Sequence, residues 1–205
     1  MFGAKNIFEF FQIGGFAMYF LAACSVIALG VFIERSITYY RKSRIKRELI
    51  MHELKKSIKN KRIESFKEKY RSNTSPFLAL IITYLENREL KKEKLKNLME
   101  RTILEKEAEL DKYNSILGTI SNVSIYFGLL GTVLGIIKAF ESIAISGAGS
   151  VSSVIKGVAE ALSTTAVGLI IAIPSSIAYN YFTERVNSFT TEMELIAMEL
   201  SELDD

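Results

Sequence analysis

The chain has 205 residues, room for a single domain or one helical bundle. Apolar residues make up 49% and the mean hydropathy is +0.20, which argues against an ordinary water-soluble globule. The single cysteine excludes an intrachain disulfide, and the net charge of +3 conceals a marked asymmetry: all but four of the 26 Lys and Arg residues lie between positions 34 and 112.

The first element is a charge-free run, Phe10–Ile33, longer than the roughly 20 residues a helix needs to cross a bilayer core. It is too long for the apolar region of a signal peptide, only Lys5 precedes it, and its basic cluster follows it, so it is expected to remain as a transmembrane helix. Arg35, Arg41, Lys42, Arg44, Lys46 and Arg47 come directly after it. Positive charge stays cytoplasmic, which turns the N-terminus outward and puts residues 34–112 in the cytoplasm. Arg41, Lys42, Arg44, Lys46 and Arg47 are read as topology determinants that meet lipid headgroups. No nucleic-acid motif accompanies the charge.

Ile45, Leu49, Ile50, Leu54 and Ile58 then recur at helical spacing on a basic background. "SNTSP" (72–76) is a turn, with Ser75 as N-cap and Pro76 at the first helical position of "FLALIITYLE", an apolar helix too short to span. His52 has no Cys or His neighbour and is read as a solvated helix residue, with no metal site. Between 89 and 112 seven acids alternate with seven bases, while Leu95, Leu98, Met99, Thr102 and Ile103 mark one face. No helix breaker follows, so one continuous helix is expected from about Lys91 to Ile137.

Two further charge-free runs, Tyr113–Ile137 and Ala161–Thr183, complete three spans. The small loop "SGAGSVSS" (146–153) falls outside and the tail from residue 184 falls in the cytoplasm. The domain reading is therefore 1–33, 34–112, 113–183 and 184–205, an all-α membrane protein with three transmembrane helices and long helices extending into the cytoplasm.

At 100° per residue, Ser121, Ser124, Gly128, Gly131, Thr132, Gly135 and Ala139 share one stripe of the second span. Ala161, Thr165, Gly168, Ala172, Ser175 and Tyr179 share one stripe of the third, with leucines and isoleucines opposite. Gly128, Gly131, Gly135 and Gly168 suit close helix approach, and Gly131 and Gly135 form the small-xxx-small pattern. For Thr132 and Thr165 two readings stand, packing with hydroxyls bonded to their own backbone or solvation of an ion path. Glu160 also has two, an interfacial anchor paired with Lys156 one turn earlier or an acid beside the polar stripe with a functional role. Beyond Glu160 the spans contain no Asp, Lys, Arg or His, and a threonine hydroxyl does not titrate at physiological pH. Proton passage needs titratable groups or a water wire, so a proton path here points to a central carboxylate supplied by another chain. No catalytic constellation or cofactor motif appears in the spans.

"YFGLLGTVLGIIKAF" (126–140) and "GVAEALSTTAVGLIIAIPSSIAYNYF" (157–182) resemble the signature segments of the ExbB/TolQ/MotA proton-channel family. Three spans and a large cytoplasmic segment resemble ExbB and TolQ more than four-span MotA. The resemblance implies a pentamer whose second and third helices line a central pore. It also implies an ExbD-like single-span partner carrying an essential aspartate, and output through a TonB-like transducer driven by proton flow across the inner membrane. Thr132 and Thr165 match the family's pore-facing threonines and Glu160 its third-helix glutamate. Where the family commonly carries a proline ahead of "GLLGTV", this chain has Ile125, which predicts a straighter second helix. The rivals are a TolQ-like subunit, a sodium-coupled one and a non-conducting scaffold.

Overall fold

The computed structural model describes residues 15–42, 47–60, 62–70, 73, 75–146 and 151–203. They form helices α1 (Gly15–Lys42), α2 (Arg47–Lys59), α3 (Ile63–Tyr70), α4 (Pro76–Glu86), α5 (Lys92–Asp111), α6 (Asn114–Ser146) and α7 (Val151–Glu202), with no strand among the described residues. Three helical stretches, beginning at Gly15, Asn114 and Val154, are long and apolar enough to cross a membrane. The helix of the third span runs on to Glu202. Pro174 lies inside it, as membrane helices tolerate.

The chain divides into two compact units. One comprises the residues up to Ile33 together with Tyr113–Asn180; the other comprises Glu34–Lys112 and Tyr181–Asp205.

In the first unit α1 buries Ala17, Met18, Leu21, Cys24 and Ala28, one face at helical spacing. The Phe20 ring stacks on Phe127 of α6 with centroids 3.7 Å apart. Val26, Leu29, Phe32 and Ile33 point outward. Such exposed apolar side chains are costly in water and neutral in acyl chains, so the pattern fits a bilayer.

The second unit has a conventional apolar core. Helix α4 is buried nearly all round, with Phe77, Leu78, Leu80, Ile81 and Tyr84 all at 2% exposure or less. Phe77 meets Phe189 of α7 at 5.6 Å, and Tyr39 of α1 stacks against Phe182 at 5.2 Å. Ser75 is the α4 N-cap with Pro76 at the start of the helix, yet its hydroxyl makes no cap bond; Asn73 Oδ1 accepts from Ser75 N–H at 2.9 Å instead. Helix α2 buries Ile50, Met51 and Leu54 and leaves Leu49 outside, so its inner face is turned slightly from the one expected.

The expected continuous helix from Lys91 to Ile137 is not formed. Helix α5 ends at Asp111, Lys112 is extended (φ −49, ψ 129), Tyr113 adopts a left-handed φ of 69, and α6 starts at Asn114. The cause is a carbonyl captured from elsewhere. In an unbroken helix the Leu110 carbonyl would accept from the N–H of Asn114. Here it accepts from buried Arg35 Nη1 at 3.0 Å and from Tyr39 OH at 2.9 Å. A left-handed tyrosine costs about 1–2 kcal/mol, least for Asn and most for β-branched residues. Tyr113→Val is therefore expected to melt below Tyr113→Asn by that amount in thermal unfolding of the detergent-solubilised protein.

Helix α5 also presents Glu109, which receives Lys106 Nζ at 2.7 Å and Lys42 Nζ at 2.7 Å. The Lys106 hydrogen bond first, then that of Lys42, pushes its carboxyl down from 4.5 to about 2. A depressed carboxyl stabilises the fold above its unfolded value, and that contribution is lost as pH falls through the folded value. Lys42→Gln combined with Lys106→Gln should therefore move the acid-unfolding midpoint, followed by near-UV circular dichroism, to higher pH. An unchanged midpoint would show that the two contacts are too solvent-screened to matter.

Candidate functional site

The site is the seam between α6 and α7 in the first unit, and its glycines make it close. A Cβ added at Gly135 would stand 2.7 Å from Ala161 Cβ, and one at Gly168 would stand 2.6 Å from the Ser124 carbonyl oxygen. At Gly128 it would meet Thr165 Cα at 3.2 Å, and at Gly131 it would overlap the Thr164 methyl. The stripes of the two spans thus face each other within one chain, backbone against backbone. Only the absence of side chains permits this approach.

Such proximity brings hydroxyls onto the neighbouring backbone. Thr165 Oγ1 donates to the Gly128 carbonyl across the seam at 2.9 Å. Thr132 Oγ1 lies 3.2 Å from the same carbonyl and 3.3 Å from the Ala161 carbonyl, and the two threonine hydroxyls bond each other directly. Two hydroxyls and two carbonyls from two helices therefore converge on one small polar cluster. Thr132 and Thr165 are both half-buried. All four groups are uncharged oxygens, able to ligate water, a hydroxyl proton or a cation but unable to take up a proton at physiological pH.

Glu160 lies one turn before Thr164 on α7, half-buried, with Lys156 Nζ at 3.8 Å from its Oε1. Lys156 is well exposed, which puts this pair among contacts worth about 0–1 kcal/mol. Ile125 is at the outer surface of α6. In the second unit Lys42 pairs with Glu109, Arg47 pairs with Glu199 at 3.5 Å, and Arg41 is exposed. Arg44 and Lys46 lie outside the described residues.

Sequence reasoning set Thr165 on the third-span stripe and gave no role to Thr164, which is fully buried with its methyl against Gly131. One residue is 100° of helix, so neighbouring threonines serve different surfaces. Gly157 was likewise passed over, although a Cβ there would come 2.8 Å from Ala139 Cβ at the same seam.

Comparison with known proteins bears on the same helices. Residues 41–195 match the model of the MotA/TolQ/ExbB proton channel family. The chain is 38% identical over 125 residues to the biopolymer transport protein ExbB of Aquifex aeolicus, covering 61% of this chain and 83% of that protein. It is 29% identical over 187 residues to the biopolymer transport protein ExbB of Salmonella typhimurium, covering 88% and 77%. Against the Tol-Pal system protein TolQ of Pseudomonas aeruginosa it is 41% identical over 87 residues, 42% of this chain and 38% of that one.

Proposed function

The chain belongs to the MotA/TolQ/ExbB proton channel family, and from that membership we propose that it is an ExbB-like inner-membrane subunit of a motor driven by the proton-motive force. Five copies surround a central pore lined by α6 and α7, with the N-terminus periplasmic, residues 34–112 and the C-terminus cytoplasmic. An ExbD-like single-span partner contributes the carboxylate that these spans lack, and a TonB-like transducer carries the output to the outer membrane. The chain takes no cofactor and performs no covalent chemistry.

The observation that carries this reading is the hydroxyl–carbonyl cluster of Thr132, Thr165, Gly128 and Ala161. It offers oxygen ligands within the charge-free runs of both spans and no titratable group among them, which suits one half of a relay whose other half is a foreign acid. Glu160 and Lys156 form a weakly coupled charge pair before the cluster and set the local potential at the outer mouth. The exposed cation Arg41, with Arg44 and Lys46, meets anionic headgroups beneath the first span.

A TolQ-like role is the second reading, favoured by the 41% identity to TolQ over the 87 aligned residues. Co-purification with a TonB-like or a TolA-like transducer separates the two. The main test is proton flux in vesicles reported by an internal pH dye, with the chain alone and with its co-expressed single-span partner. Flux is expected only with both chains present and independent of sodium. Equal flux without the partner would refute the shared-carboxylate scheme, sodium dependence would change the coupling ion, and no flux from the pair would leave a scaffold.

A further inference from the structure

Thr164 and Thr165 are adjacent in sequence and opposite in character. Thr165 spends its hydroxyl across the seam, whereas the Thr164 hydroxyl is fully buried and meets no hydrogen-bond partner. What Thr164 does engage is shape. Its Cγ2 methyl occupies the space a side chain at Gly131 would need, and a Cβ on Gly131 would also stand 3.0 Å from Thr164 Cβ and 3.3 Å from Ala17 Cβ of α1. Methyl and bare Cα make a peg and notch where α1, α6 and α7 converge. The residue after each, Thr132 and Thr165, is where the two hydroxyls meet.

We infer that Thr164 is a positioning residue that acts through its γ-methyl: seated on Gly131, it sets the separation and register of α6 and α7 that hold the Thr132 and Thr165 hydroxyls together. The inference rests on the proposed role of that hydroxyl pair in proton transfer. Its physical basis is the stiffness of a packed interior. A filled notch forces whole helices apart rather than being absorbed locally. A β-branched side chain has few rotamers with which to evade it. The unpartnered hydroxyl contributes nothing to this, so a valine of the same outline should serve as well.

Four variants test the inference through two independent readouts. One is proton flux per assembled complex with the partner. The other is the rate of disulfide formation between cysteines introduced at Thr132 and Thr165 in a Cys24→Ser background, which reports the seam geometry whether or not the protein conducts. Thr164→Val should leave flux within about twofold. Gly131→Ala should reduce it at least about tenfold, since misplacement by an ångström costs this much or more at reacting groups, and should slow cross-linking. Thr164→Ala added to Gly131→Ala removes the peg and should restore most of both. Gly30→Ala on α1, where an added Cβ meets nothing within 4 Å, is the control without a clash and should leave flux and cross-linking near wild type.

Loss of flux in Thr164→Val would assign the work to the hydroxyl and overturn the inference. So would failure of the double variant to recover cross-linking, or a Gly30→Ala defect equal to that of Gly131→Ala. If wild type with its partner conducts nothing, the motor reading falls while the cross-linking series still decides the peg.

Discussion

Thr165→Val is expected to abolish proton flux through the complex with its partner while leaving the assembled oligomer at wild-type levels in a native mass measurement. Valine keeps the outline of threonine, so the backbone approach of Gly128 to Thr165 is undisturbed. What disappears is the donor to the Gly128 carbonyl at 2.9 Å and the direct contact with Thr132 Oγ1. Hydrogen bonds of this kind between membrane helices are worth about 0.6 kcal/mol on average and about 1.7 at most, too little to dismantle three packed spans. Gly128 O keeps Thr132 as a donor at 3.2 Å. The effect on flux is larger because, in the proposed relay, these hydroxyls are the groups of this chain that meet the partner's acid, and valine offers no oxygen in their place. Thr165→Ser, which keeps the hydroxyl, should retain a substantial share of activity. Full flux in Thr165→Val would show that the cluster only joins helices and that protons pass without it.

Arg35→Met is expected to destabilise the second unit by about 2–3 kcal/mol in thermal or denaturant unfolding in detergent, in line with the worth of hydrogen bonds from charged donors. Arg35 is only 4% exposed, donates to the Leu110 carbonyl at 3.0 Å, and is paired with Glu34, whose carboxyl it holds below the ordinary range. Methionine fills much of the volume but leaves a helix-terminal carbonyl with Tyr39 as its donor. Arg35→Lys should recover only part of the loss, because a point cation does not reach a carbonyl and a carboxylate at once as a planar fork does. Tyr39→Phe should cost about 1 kcal/mol, since its stacking on Phe182 survives and only the hydroxyl's bond to Leu110 is lost. A stability change below about 0.5 kcal/mol in Arg35→Met would mean that Tyr39 alone fixes the end of α5.

This carbonyl also explains the clearest difference between expectation and fold. Between Lys91 and Ile137 the sequence has good helix formers and no proline, and its glycines lie well beyond the break. Local propensity therefore reads as one helix. The interruption at Lys112 and Tyr113 is imposed by side chains more than seventy positions earlier, and no local window contains them. By contrast Pro174, the residue a propensity argument would suspect, interrupts nothing. A membrane helix has no water to offer its backbone as an alternative to its own hydrogen bonds, so a single missing donor does not end it.

The candidate site was legible to a similar depth. Composition along each helix identified the small and hydroxyl-bearing side of the second and third spans, because a 3.6-residue period projects directly from spacing. The same spacing could not say what that side touches. That Gly128, Gly131, Gly135 and Gly168 seat against Thr165, Thr164, Ala161 and the Ser124 carbonyl depends on the axial register of α6 against α7. Register is a long-range variable, set jointly by every contact along the seam and by α1 behind it. Spacing puts Thr164 100° from Thr165 on α7, but its seat on Gly131 depends on that same register.

The sequence by itself determined three charge-free runs long enough to span, an amphipathic basic region between the first two, and a polar stripe on each of the last two with no titratable centre, since all of these follow from residue type and spacing within a few turns. Only the tertiary structure decided where α5 stops, which threonine bonds across the seam and which one wedges it. Those outcomes depend on distances between segments remote in the chain, where packing and captured carbonyls outweigh local preference.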